Sequence, residues 1–140
     1  MSRIFWDTNL FIYLIEDYGD LSERVVALRK RILSRNDQLY TSALTLGEVL
    51  VKPTEGGNED LRRQYEAAIV TGAIVIPFNV EAARLYATVR QDRDIRPPDA
   101  IQLASAAHAR VDLFITNDDR LSEKTIPGIQ FVTSLSRSPL

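Results

Sequence analysis

The sequence predicts an α/β fold, a twisted parallel sheet of four to five strands flanked by helices in three layers, and three observations point to it. Short apolar runs alternate with stretches of helical periodicity along the whole chain. The first such run, Ile4-Phe5-Trp6, ends in Asp7 just before an amphipathic stretch, which puts a charge at the rim of a sheet. The chain has 140 residues, enough for one domain that buries about two-thirds of its unfolded surface.

Arg3–Asp7 reads as the first strand and Thr8–Glu16 as the helix it feeds, with Leu10, Phe11 and Leu14 on the apolar side. Leu21–Ser34 is a second helix, because Leu21, Val25, Leu28 and Ile32 recur at helical spacing with arginines facing outward. Gln38–Thr41 is a short strand, and Ser42–Val51 a helix that Pro53 terminates. Glu55-Gly56-Gly57-Asn58 forms a loop. Leu61–Val70 follows as helix, Ile74–Pro77 as strand and Val80–Arg90 as helix. Pro97-Pro98-Asp99 opens a helix running to Ala109, Leu113–Thr116 is a strand, and Ile129–Val132 is the last one. The polar tail from Ser134 is expected to fray, so the domain spans residues 1–133 and the tail 134–140.

Composition removes several classes of function. With 45% hydrophobic and 26% charged residues the chain is an ordinary globular protein. It has no cysteine, which excludes a disulfide scaffold, a thiolate zinc site and a cysteine nucleophile. The N-terminus does not read as a secretory signal, and no apolar run approaches the ~18 residues of a membrane span. A soluble, cytoplasmic protein with no membrane partner is expected. Seventeen basic against 19 acidic residues give a net charge of −2. That balance argues against a protein that holds nucleic acid mainly by counterion release. It leaves room for an enzyme whose bound divalent ions cancel several of its acids.

Four acids, Asp7, Glu48, Asp99 and Asp118, each follow or open an element in the same way. Singly, each has a structural explanation. Asp7, Asp99 and Asp118 stand where helix caps or first-turn residues belong, Pro98 suits a helix start, and Thr45-Leu46-Gly47-Glu48 has capping-box spacing. As a set they read differently. Caps are equally Ser, Thr or Asn, and Ser42 is a competing helix start that carries Glu48 one to two turns inward. The expected topology brings all four to one edge of the sheet. Two unit charges ~4 Å apart repel by ~4 kcal/mol at an effective dielectric of ~20. An empty cluster is therefore strained or partly protonated, and Mg²⁺ or Mn²⁺ relieves the strain because hard cations take carboxylate oxygens.

The missing chemistry narrows the reaction. His108, the only histidine, falls toward the far end of the helix that Asp99 opens, where it serves surface or packing. There is no Gly-x-Ser-x-Gly elbow and no phosphate-cradling glycine loop. What remains is water activated by carboxylate-bound metal, and phosphodiester hydrolysis is the reaction that most often uses it.

The chain resembles the PIN-domain ribonucleases, in particular the VapC-type toxins of prokaryotic toxin–antitoxin pairs. The resemblance spans nearly the whole chain and rests on Phe5-Trp6-Asp7-Thr8-Asn9, Thr41-Ser42-Ala43-Leu44-Thr45-Leu46-Gly47-Glu48-Val49-Leu50, Pro98-Asp99-Ala100-Ile101-Gln102-Leu103-Ala104-Ser105-Ala106 and Phe114-Ile115-Thr116-Asn117-Asp118. Each motif alone is loose; all four in this order are specific. The resemblance implies a PIN-like fold and an acidic metal-binding quartet at Asp7, Glu48, Asp99 and Asp118. It gives Asn9 and Thr116 supporting roles, with Asp119 as the competitor of Asp118 for the fourth acid. It further implies a two-metal endoribonuclease, often a homodimer, silenced by a cognate antitoxin.

RNA contact needs positive charge. Arg93 and Arg96 are the preferred candidates, since their loop leads into Asp99, whereas Arg29-Lys30-Arg31 reads as solvated surface. Phe5 and Trp6 are expected in the core rather than stacked on bases. Two other readings compete. A haloacid-dehalogenase-like phosphatase also starts from a strand-terminal aspartate, but its second acid two residues later is replaced here by Asn9. A catalytically inactive PIN-like module that binds RNA or a protein has no need of four repelling acids.

Overall fold

Parallel strand pairing governs the architecture. The computed structural model describes residues 1–140. Its elements run β1 (Arg3–Trp6), α1 (Thr8–Ile15), α2 (Asp20–Ser34), β2 (Gln38–Ser42), α3 (Ala43–Glu55), α4 (Glu59–Gly72), β3 (Ile74–Ile76), α5 (Val80–Val89), α6 (Pro97–His108), β4 (Leu113–Thr116) and β5 (Phe131–Ser134), followed by a short 3₁₀ turn at Leu135–Arg137. The five strands form one sheet in the order β3-β2-β1-β4-β5, and every pairing is parallel. The chain winds outward from β1 through β2 and β3, then returns to the other side of β1 for β4 and β5. That reversal opens a crevice beyond the carboxyl ends of β1 and β4, the place where open parallel sheets receive ligands.

Alternation along the central strands sorts side chains into two cores. Phe5 and Phe114 point to one face with rings stacked at 5.0 Å, over Leu103 and Ala106 of α6 and Val89 of α5. Ile4, Trp6, Leu113 and Ile115 point to the other face and meet Leu10 and Phe11 of α1, Val25, Leu28 and Ile32 of α2, Val49 of α3 and Ile69 of α4. Helices therefore cover both faces, as the alternation of elements predicts. Phe5 and Trp6 are fully buried. The apolar stripe of α2 is spent on this core. No helix is long and apolar enough to cross a membrane.

Several boundaries depart from the sequence reading. Pro53 does not end its helix: α3 continues to Glu55, with Pro53 buried in its last turn. An interior proline removes one backbone hydrogen bond and crowds the preceding turn. Here the loss falls near the end, where Gly56 N–H donates to the Lys52 carbonyl at 3.0 Å and Asn58 N–H to that of Pro53 at 3.0 Å. Gly57, at φ 64°, then turns the chain, and Asn58 caps α4 by accepting from Leu61 N–H at 3.1 Å, so that helix starts at Glu59 rather than Leu61. The last strand is Phe131–Ser134 rather than Ile129–Val132. Ile129 is buried but belongs to the turn at Gly128, and pairing with β4 sets the register at Leu113↔Phe131. Ser134, where the polar tail was expected to begin, pairs with Thr116, and Leu135 is buried against the α1–α4 face.

The Phe5–Phe114 stack predicts where the fold is most sensitive. Phe114→Ala is expected to cost about 3–5 kcal/mol through lost burial and an unfilled cavity. Urea unfolding measures it, and a loss under about 1 kcal/mol would show that the sheet does not depend on this contact.

Candidate active site

Asp7 follows the last residue of β1 and caps α1, its Oδ1 accepting Thr8 N–H at 2.9 Å. The same side chain faces the crevice at the sheet rim. Only 7% of the residue is exposed, and two further donors hold its carboxylate: Gln102 Nε2 reaches Oδ1 at 3.1 Å and Thr116 Oγ1 reaches Oδ2 at 2.7 Å. All three donors are neutral. Burial pushes the Asp7 carboxyl above its ordinary range, the three hydrogen bonds pull it back, and the charge of Asp118 pushes it further up. Held by dipoles alone, this carboxylate has no counter-charge of its own, so nothing in its hydrogen-bonded shell would neutralise it against a cation.

Asp99 lies in the first turn of α6 and Asp118 just beyond β4. Burial raises the Asp99 carboxyl, and the charges of Asp7 and Asp118 add to the rise, while Arg120 and Arg96 oppose it. Asp118 is lowered instead, because the Arg120 side chain hydrogen-bonds to it. That guanidinium grips both carboxylate oxygens, Nε to Oδ1 at 3.0 Å and Nη2 to Oδ2 at 2.5 Å, and Nη2 also stands 3.9 Å from Asp99 Oδ2. Thr116 ties the two sides together: its hydroxyl donates to Asp7 and accepts Asp118 N–H at 3.0 Å.

Glu48 approaches from α3. Ser42 caps that helix by accepting Thr45 N–H at 3.1 Å, which places Glu48 in the second turn rather than at the start. Glu48 is exposed, and its Oε1 accepts from Thr8 Oγ1 at 2.7 Å. Thr8 Oγ1 and Thr45 Oγ1 lie 3.0 and 2.7 Å from Gln102 Nε2, and the Ser42 hydroxyl donates to Gln102 Oε1. A polar network, exposed at Glu48 and buried at Gln102 and Asp7, thus runs from Glu48 through Thr8 and Gln102 to Asp7.

The sequence candidates divide as follows. Asp7, Asp99 and Asp118 lie within electrostatic reach of one another, and Glu48 joins them through Thr8. Asn9 does not touch a carboxylate; its Oδ1 accepts Asn117 N–H at 3.3 Å and so fixes the segment that carries Asp118. Asp119 is exposed and points its carboxylate at no partner. Arg96, just before α6, acts on both Asp99 and Asp118 by charge. Arg93 lies instead on the surface beside Arg90 and Gln91. His108 closes α6, its Nε2 3.4 Å from Asn79 Nδ2.

As the side chains stand, no group of three or more His, Asp or Glu could hold a metal ion. Asp118 is engaged by Arg120 instead. The donors nonetheless fit a hard divalent cation of the Mg²⁺ kind, which needs only one or two protein carboxylates and completes its shell with water and phosphate. Arg120 itself marks a place between Asp118 and Asp99 where positive charge is favoured.

Sequence reasoning passed over Gln102 and Arg120. Gln102 lies three residues beyond Asp99 on a helix face otherwise built of Ala, Leu and Ser, and a polar residue in that register was the available signal. Arg120 follows Asp118 by two residues, a spacing that marks no regular element.

Comparison with known proteins adds a family and a set of folds. The family model described as PIN domain matches residues 4–126. No curated protein matches the chain. Among solved structures it is similar to VapBC2 from Rickettsia felis bound to a DNA fragment from their promoter, with 17% identity, a TM-score of 0.70, and 94% of this chain and 98% of that one covered. It is also similar to a toxin–antitoxin complex from Klebsiella pneumoniae, with 25% identity, a TM-score of 0.62, and 90% and 94% covered. DNA-bound VapBC from Salmonella typhimurium gives 21% identity, a TM-score of 0.64, and 96% and 99% covered.

The Arg120–Asp118 pair carries a pH signature. Asp118 is depressed in the folded state, so its stabilisation is present above the ordinary carboxylate range and is lost as pH falls through the depressed value. In metal-free protein, Arg120→Ala is expected to melt slightly below wild type at neutral pH, with the two curves converging in strong acid. Thermal melts across pH measure this; a gap that persists in strong acid would assign the effect to packing instead.

Proposed function

The chain belongs to the PIN-domain family, and from that premise we propose that it is a divalent-metal-dependent endoribonuclease, the toxin of a toxin–antitoxin pair. The observation that carries the reading is the placing of Asp7, Asp99 and Asp118 against one another at the carboxyl rim of β1 and β4, with Asp7 buried and held only by neutral donors. A binding module has no use for charges that repel at a cost. Asn9, turned onto Asn117, leaves no second acid beside Asp7 for a phosphatase of the haloacid-dehalogenase kind.

The proposed roles are assigned residue by residue. Asp7, Asp99, Asp118 and Glu48 are the residues that would hold Mg²⁺ or Mn²⁺, and Asp118 would do so only without its pairing to Arg120. Divalent ions, when bound, supply a water acidified for attack and positive charge against the phosphate oxygens. Arg96, exposed beside Asp99, draws the RNA backbone toward the rim, and Arg93, on the surface beside Arg90 and Gln91, is assigned a second contact to that backbone. Thr116 and Gln102 keep Asp7 in place. In the reaction the water oxygen bonds to phosphorus, the bond from phosphorus to the 3′ oxygen breaks, and that oxygen takes a proton. The products are a 5′ phosphate and a 3′ hydroxyl. The similar folds of toxin–antitoxin complexes support a cognate antitoxin as partner, and a homodimer is proposed with it.

Three outcomes are expected. A structured RNA is cut in the presence of Mg²⁺ or Mn²⁺, and Asp7→Asn and Asp99→Asn each lose at least ~100-fold in rate; cyclic-phosphate ends, or equal cleavage by wild type, mutant and EDTA-treated protein on gels, would end the reading. Mn²⁺ at a hundredfold over its dissociation constant stabilises wild type by ~2.7 kcal/mol in thermal melts. Asp99→Asn shows a smaller gain while melting above wild type without metal, because one repelling charge is gone.

A further inference from the structure

We propose that Gln102 is the positioning residue of the acidic site, holding Asp7 and, through Thr8, Glu48 in one arrangement that can receive a divalent cation. This rests on the metal-dependent reading above. It adds a residue whose side chain is neither acidic nor itself a ligand.

The burial of Gln102 sets the problem. Only 2% of the residue is exposed, on a helix whose neighbouring positions Leu103, Ala104 and Ser105 are fully buried. A primary amide in that setting is costly unless its donors and acceptor are used. A core-filling role alone would be served as well by leucine or methionine. Instead the amide stands where three other elements converge: Asp7 after β1, Thr8 at the start of α1, and Ser42 and Thr45 at the start of α3.

The hydrogen-bond directions are constrained. Ser42 Oγ already accepts Thr45 N–H as the cap of α3, so its own hydrogen is free for Gln102 Oε1. That bond turns the NH₂ group toward Asp7. Two hydrogens then serve three oxygens, Asp7 Oδ1 at 3.1 Å, Thr8 Oγ1 at 3.0 Å and Thr45 Oγ1 at 2.7 Å. Thr8 passes its hydrogen on to Glu48 Oε1 at 2.7 Å. Asp7 and Glu48 are thereby indexed to one amide on a third helix.

The choice of a neutral donor has a consequence. An Arg or Lys at this position would hold Asp7 equally well but would cancel the charge a cation needs. An amide orients the carboxylate and leaves its charge intact. Gln102, Thr116 and Thr8 N–H together occupy Oδ1 twice and Oδ2 once, so a lone pair of Oδ2 stays open.

The test is Mn²⁺ affinity of the folded, metal-free protein, read by titration calorimetry and by the electron paramagnetic resonance of free and bound Mn²⁺, well below the melting temperature. Gln102→Met keeps the length of the side chain and removes its donors. It is expected to weaken Mn²⁺ binding about 10- to 100-fold, the range for loss of an outer-shell partner, and to alter the bound-ion spectrum. Global destabilisation leaves both readouts of the folded protein unmoved. Gln102→Asn, which keeps the amide but draws it back by one methylene, is expected to shift affinity in the same direction and serves if Gln102→Met does not fold. Wild type that binds Mn²⁺ with either folded variant matching its affinity and spectrum overturns the role of Gln102 alone. Wild type that binds no Mn²⁺ overturns the metal-dependent reading and this inference with it.

Discussion

A carboxylate buried at the end of the central strand organises this molecule. Asp7 leaves β1 into the crevice between β1 and β4, where burial opposes its charge and three neutral hydrogen bonds support it. Satisfying it draws on four separate elements: the first turn of α1, the end of β4, the middle of α6, and through Gln102 the cap of α3. Removing a partner from a buried group costs the full desolvation of what is left behind. The junction of these elements is therefore specified tightly, and the remaining acids are placed by the same junction.

The surrounding charges are handled in two ways. Asp118 is partly exposed and takes a guanidinium, which lowers its carboxyl and quiets its repulsion of Asp99. Asp7 is too enclosed for such a partner and is held by dipoles. The contrast keeps one acid paired yet releasable and the other fixed yet without a counter-charge. An enclosed anion beside a displaceable counter-cation is what exchange with a metal ion would require.

Much of this was legible beforehand because it is local. The strand runs and the helices were readable from period-2 and period-3.6 patterns, and Leu113–Thr116 coincides with β4 to the residue. Pro53 and Ile129 misled for the same reason, that the signal was local while the outcome was not. A proline's effect depends on how much helix remains beyond it, and a buried isoleucine can anchor a turn as well as a strand. Ser134 read as polar tail because nothing nearby announces its pairing with Thr116.

By itself the sequence determined the elements and put acids at their ends, since both follow from neighbours a few residues apart. Tertiary structure alone decided which acids meet and what holds them. Asp7 takes its hydrogen bonds from Gln102 and Thr116, 95 and 109 residues away in the chain. Those encounters exist only because β4 returns to pair with β1 and α6 packs over the sheet. The position of Gln102 three residues beyond Asp99 was visible from the start; its meaning depended on strand order, a non-local choice that local periodicity does not encode.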